Sequence, residues 1–556
     1  MKTKETILTG CLIVTLCACS DFLELNESDY YSKGALFMSF DRAKNVVTNV
    51  YGYLQDGFAN VAGTMQDAAT DDAINAWQTT GLKVYYDGSW SPINVIDDQW
   101  SHYYAGIRAA NFFLENYPED FPEYEYNEGY QEKLIQWKYY PYEVQVLRAY
   151  FHFELLKRYN HIIIAEHTYE RNEVNQLEPS SFEEVIQFIV DECDMAAPNL
   201  PVSFEKVPGG ETGRVTRGTA MALKARALLY AASPLNNPEN DRTKWLKAAA
   251  AAKSLLDASE TNGWYQLIGE ETTNNLTAKG LIFDRRIGDS NSFERANFPI
   301  GYEGGNSGVC PSQNLAEAFD MRDGTPFDWN NEEHRKNMLN ADARDPRFAK
   351  VFLCNGNKFK DKILETYQGG FHALPKDGGT PTSYYLRKHV LEWISFTAGS
   401  TTTGRHVWPL FRYAEVFLNY AEALGEAQGP TFKGTVNGVN YTMSAKEAVD
   451  KVRMRSGMPP LPEGLTKTDF IERVHKERRV ELAFEGHRFW DLRRWKTGEA
   501  TENIWGLVIT KNEDDTFEYQ RKVVQQRIWE NKMYFYPLAN SELFKNNKLV
   551  QNTGWE

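Results

Sequence analysis

Four carboxylates, Glu477, Glu481, Glu485 and Asp491, fall inside one charged run, KERRVELAFEGHRFWDLRRW, from Lys476 to Trp495. Two carboxyl groups flanking a glycosidic bond are the equipment of a glycoside hydrolase. Glu477, Glu481 and Glu485 recur at steps of four, which would set them on one face of a helix. The same run carries Arg478, Arg479, Arg488, Arg493 and Arg494. Guanidinium neighbours lower a carboxyl pKa where a general acid needs it raised, and Arg is the side chain suited to fixed bidentate pairing. The run therefore reads as a structural ion network, with no catalytic residue in it. Other catalytic patterns are missing: there is no HExxH and no phosphate-binding Walker loop, and Ser307 in Gly305-Asn306-Ser307-Gly308 lacks the second glycine of a nucleophile elbow. The histidines show no ligand spacing, so neither a metal nor a cofactor is expected.

Binding needs less than catalysis. A sugar site uses ring faces against C–H faces, with amides, carboxylates or Arg reaching the hydroxyls, and each buried ring removes about 150–250 Å² from water. Aromatic residues make up 13% of the chain; core packing accounts for many of these rings, and a surface that stacks flat ligands would also use them. The candidates outside helical pattern are Trp77 and Trp90, then Phe298 and Tyr302 before a Gly-rich turn, then Trp329; Asn75 and Gln78 flank Trp77 and could supply hydrogen bonds. Trp100, Tyr104 and Trp495 sit in helical contexts and read as structure.

The N-terminus carries a different chemistry. Lys2 and Lys4 precede an apolar stretch from Ile7 to Leu16, the layout of a secretory signal. That stretch is too short to span a bilayer. It ends in Leu16-Cys17-Ala18-Cys19, where a lipoprotein signal peptidase would remove residues 1–18 and leave Cys19 acylated. Several acyl chains on one residue give the membrane hold that a single chain does not. Residues 19–34 follow as a polar spacer with Asp21, Glu24, Glu27 and Asp29. A net charge of −15 argues against nucleic acid as a partner. In the body only Cys193, Cys310 and Cys354 remain, which permits at most one disulfide and no zinc ribbon.

Helices must position these groups. Val144, Leu147, Phe151 and Leu155 recur at three- and four-residue steps, as do Met221, Ala225, Leu228 and Ala232, and Ala414, Phe417, Ala421 and Leu424. Each such segment is followed by a second helical one, giving pairs near 141–197, 213–260 and 409–456; an earlier pair, near 39–116, is split by an insertion that contains Trp77 and Trp90. With small residues at close approaches and Pro or Gly after the second helix, the pairs read as hairpins of the tetratricopeptide kind. Between about 264 and 405 the rhythm fails and Gly, Asn, Ser, Pro and aromatic residues take over, with a short helix expected from Gln313. Irregular segments of that length usually carry function.

The chain resembles the SusD/RagB family of surface glycan-binding lipoproteins. The resemblance rests on the lipobox at Cys19, RAYFHFELLKRY from Arg148, GRVTRGTAMALKARALLYAASP from Gly213, CPSQNLAEAFDMRDG from Cys310, RYAEVFLNYAEAL from Arg412, ELAFEGHRFWDLRRW, and the closing PLANSELFKNNKLVQNTGW. It implies an all-α fold over residues 35–556, in which four tetratricopeptide-like hairpins support an irregular ligand-binding lobe. It also implies a lipid-anchored position on the outer face of the outer membrane, and a SusC-like TonB-dependent transporter as the partner that receives oligosaccharide. A peptide ligand, or a purely structural lid on the same transporter, are the alternatives. A glycoside hydrolase comes behind both.

Overall fold

The computed structural model describes residues 33–268 and 274–556. Cys19, its signal and nearly all of the spacer lie outside the described residues.

Among the described residues nine long helices form the scaffold: α1 (Phe40–Gly52), α2 (Trp100–Asn116), α3 (Tyr140–Tyr159), α4 (Phe182–Ala196), α5 (Arg217–Ala232), α6 (Arg242–Asn262), α7 (Tyr413–Gln428), α8 (Ala445–Arg455) and α9 (Lys467–Glu481). Their starts are written in the sequence. Ser181 of α4 and Ser444 of α8 each close a capping box, their hydroxyls accepting from the Glu184 and Glu447 N–H while those carboxylates accept in return. Along α3 the stripe Val144, Leu147, Phe151 and Leu155 is fully buried. Each helix packs on the next, α1 through to α7, and α7 then meets both α8 and α9. The interior of this array is lined by alanines such as Ala220, Ala227, Ala249 and Ala252, which let the backbones approach.

The fold is helix-rich but not all-α. Strand β1 (Ala73–Asn75) pairs with β3 (Val309–Pro311), β2 (Leu281–Ser290) with β4 (Gly404–Arg412), and β5 (Asn503–Lys511) with β6 (Phe517–Gln526), all antiparallel. The first two pairings join segments far apart in sequence, which a local periodicity cannot reveal. The first also makes the insertion after α1 part of the same lobe as residues 264–405. The expected helix at Gln313 is present as Gln313–Ala316. The three body cysteines are buried free thiols, and no disulfide joins them.

The helix expected to carry Glu477, Glu481 and Glu485 on one face is interrupted. α9 ends at Glu481, Phe484 (φ 57°) and Gly486 (φ 73°) turn the chain through left-handed backbone, and α10 (Arg488–Arg494) begins anew. Glu485 therefore leaves the face shared by Glu477 and Glu481. The charges pair with distant partners more than with one another. Glu477 receives Arg347 at 2.6 Å and Arg453 at 2.9 Å; Glu481 receives Arg455, Arg412 and Arg347 at 2.6–2.9 Å; Glu485 receives Arg412 and Lys388. Arg478 and Arg494 both reach Asp491 at 2.8 Å, and Arg494 also clamps Glu422. Arg479 and Arg488 extend to Asp71 and Asp72 of the insertion. Burial alone would raise the Asp71 carboxyl, but the two guanidiniums outweigh it and hold it at about 2. Arg493 departs from the expected network: it forms no ion pair among the described residues and lies on the Phe489 ring at 3.4 Å.

Candidate ligand cleft

After α1 the chain turns through Asp56–Met65, forms β1, and leaves it at Trp77. Register Asn75↔Val309 and the bond from Ala76 N–H to Gly308 C=O (2.8 Å) zip this segment to the lobe. Trp77 is then fixed twice: its backbone N–H donates to Asn75 Oδ1 at 2.8 Å, and its indole N–H to the Asn306 carbonyl at 2.7 Å. Asn75 is in turn held by Thr64, its Nδ2 donating to the hydroxyl at 2.9 Å. One half-buried indole is thus presented with a fixed orientation at the edge of a cleft of about 510 Å³.

The cleft lies between the Asp56–Met65 turn, the strand from Arg285 to Ser290, and the segment Ser292–Gly308. Phe58, Met65, Ile287 and Phe293 supply apolar wall. Asp56, Asn60 and Arg285 line it with no side-chain hydrogen bond or ion pair among the described residues, so an anion, a cation and an amide are available to hydroxyls. At its base His406 is almost wholly buried, its Nε2 2.8 Å from Glu294 Oε1 and its ring edge-on to Phe58 at 5.2 Å. With Glu294 accepting from Nε2–H, the Nδ1 of His406 is left buried with no hydrogen-bond partner among the described residues. Among the described lining residues only Asp56 has a carboxyl group. The two flanking carboxylates of glycoside hydrolysis are not assembled there.

Of the residues expected from sequence, Asn75 and Trp77 meet in this cleft, and Gln78 is exposed beside Trp77, within 3.5 Å of Gln525. Three others are corrected. Trp90 (3% exposed) is enclosed by Tyr85, Tyr536 and Trp555; Phe298 (0%) by Phe359 and Phe396; Tyr302 (7%) stands edge-on to Phe359 and stacks on His372. No free ring face remains on them, because each loop folds back on aromatic residues distant in sequence. Trp329 is half-buried beside Phe327, under the Arg521 guanidinium, and is not part of the cleft. Asp56, Phe58, Asn60, Arg285 and His406 were not anticipated. A polar turn with Gly63 following an amphipathic helix was the signal for the first three; Arg285 and His406 depend on the β2/β4 pairing and had none.

The region 279–555 matches the model of the SusD family. SusD-like protein P2 of Formosa agariphila is 31% identical over 172 residues, and the match spans 30% of this chain and 30% of that relative's length. A SusD-like protein of Bacteroides fragilis superposes with TM-score 0.74 at 26% identity, covering 93% of this chain and 98% of the other. A SusD-like carbohydrate-binding protein of the same species gives TM-score 0.74 at 23% identity, with 93% and 100% covered. The sequence motifs and the shared architecture agree: the chain belongs to the SusD/RagB family.

Proposed function

We propose that this protein is a lipid-anchored glycan-binding protein of the outer cell surface that captures oligosaccharides and hands them to a SusC-like TonB-dependent transporter. The observation that carries the reading is the cleft, where a fixed indole, an apolar wall and the unpaired Asp56, Asn60 and Arg285 converge. That is the lining a sugar chain requires: one stacking face with several hydroxyl partners. The carbohydrate binding stated for one Bacteroides fragilis neighbour supports it by analogy of fold. Lipidation at Cys19 would hold the N-terminus in the outer leaflet, and no described helix is long and apolar enough to cross a membrane. The helical array, read as four tetratricopeptide-like hairpins within one unit over 35–556, would face the transporter and leave the cleft to the exterior. A weak site suffices there, since tethering beside the transporter raises the effective concentration.

A glycan array on residues 20–556 tests this. Oligosaccharide retention is expected; a protein that binds a transporter barrel but no glycan would instead be a lid or a peptide carrier. Trp77→Ala should abolish retention and leave thermal unfolding nearly unchanged. Tyr302→Ala, by contrast, should cost about 3–5 kcal/mol of stability, the scale of emptying a buried ring site, because Tyr302 is packed on Phe359 and His372. Equal stability losses in the two variants would place Trp77 in the core and remove it from the site.

A further inference from the structure

Trp393 is the one tryptophan among the large exposed hydrophobic side chains, with 60% of its surface open. Leaving an indole in water forgoes burial worth about 25 cal/mol per Å², so its position asks for a reason. The ring is not loose. It follows Leu391, whose N–H donates to Glu294 Oε1 at 3.0 Å, and precedes Ser395, which is tied to Thr402 by two bonds of 2.8 and 2.9 Å. Thr402 C=O in turn accepts from Asn291 Nδ2 at 3.0 Å. On its inner side the indole rests against Gly404, where an added methyl group would come within 2.9 Å of Cζ2 and 3.1 Å of Cη2. A side chain at 404 would push the ring away; glycine leaves it lying on the strand.

Gly404 is paired with Ser290, the residue that ends the β2 wall of the cleft. Cross-strand partners project to the same face of a ladder. The indole therefore lies on the face of the ladder from which Ser290, itself a lining residue of the cleft, projects. Its N–H meets no acceptor among the described residues, and the hydroxyls of Ser290 and Ser292, 3.1 Å apart, lie next along the wall. The arrangement repeats that of Trp77: a ring fixed from behind, open in front, with small polar groups beside it.

We propose that Trp393 is the platform of a second stacking subsite, continuous with the cleft past Ser290, so that this chain grips a longer oligosaccharide than the cleft alone would hold. The inference rests on the glycan-binding reading above. Between them Trp77 and Trp393 would fix the two ends of a chain, and the pinned loop spares the ordering cost that a mobile tryptophan would add.

The test compares wild type, Trp77→Ala and Trp393→Ala by affinity electrophoresis in laminarin, amylopectin, arabinoxylan and galactomannan gels. Titration follows with oligomers of increasing length cut from each retarding polymer. Trp393→Ala should keep the wild-type thermal midpoint and its affinity for the shortest bound oligomers, and lose about five- to tenfold in affinity for the longest, the effect of truncating an aromatic anchor. Trp77→Ala should lose all lengths. Wild-type affinity of Trp393→Ala at every length, or an equal loss at every length, would overturn the subsite while leaving the main reading intact. Retardation of the wild type in none of the gels would overturn both.

Discussion

Arg494→Met should lower the stability of this protein by about 3–5 kcal/mol at neutral pH, the cost of breaking a buried ion pair by removing one partner. Arg494 is 1% exposed; its guanidinium meets Glu422 at 2.5 and 2.7 Å, Asp491 at 2.8 Å and the Ser233 hydroxyl at 2.8 Å. Burial would raise the Glu422 carboxyl, but Arg494 and His475 hold it well below the ordinary carboxylate range. A depressed carboxyl stabilises the fold above its unfolded pKa and loses that contribution as pH falls toward the folded value. The Glu422 contribution to wild-type stability, followed by urea midpoints, should therefore be full at pH 7 and be lost on acidification below about 4.5, the ordinary value for Glu. In the double variant Glu422→Leu/Arg494→Met most of the loss should return, because an apolar pair of similar volume does not carry the desolvation cost. A single variant as stable as wild type at pH 7 would mean that the clamp contributes nothing.

The same cluster shows what a sequence can and cannot say. That Arg and Glu in KERRVELAFEGHRFWDLRRW must neutralise one another somewhere followed from their density. Which ones pair did not, because Arg347, Arg412, Arg453, Asp71 and Asp72 arrive from segments tens to hundreds of residues away. Helix positions were legible for the reason that Val144, Leu147, Phe151 and Leu155 are buried together: periodicity is a local signal of a global face. The cleft was legible only at Asn75 and Trp77. Trp90, Phe298 and Tyr302 have the same composition around them as Trp77, yet their partners Trp555, Phe359 and His372 are non-local, and only the partners decide whether a ring is core or platform. Trp393 illustrates the converse, since the seat of its ring depends on glycine at 404 of β4.

Asp67→Asn should stabilise the protein, and increasingly so as pH rises. Asp67 lies in the short turn Gln66–Ala69 that follows Met65 of the cleft wall; it is 1% exposed, and neither carboxyl oxygen has a hydrogen-bond partner among the described residues. Burial is the main reason its pKa is pushed up from 3.8 to about 7; Asp72 and Glu485 add to the rise, against Lys388 and a backbone contact of its own. The sign follows from linkage. Below the unfolded pKa the acid is neutral in both states and costs nothing; between the two values the unfolded chain releases a proton that the folded chain retains, so stability falls with rising pH until the folded pKa is passed. A rise of about three units is worth about 4 kcal/mol, all of it lost to the wild type by about pH 8. Asparagine keeps the volume and never ionises. Wild type and Asp67→Asn should therefore unfold at nearly equal urea concentration near pH 4, with the variant progressively more resistant up to pH 8. If instead Asp67→Asn were the less stable protein at pH 8, the carboxylate would have to be partnered and ionised in the fold, and the turn behind Met65 would be held by its charge.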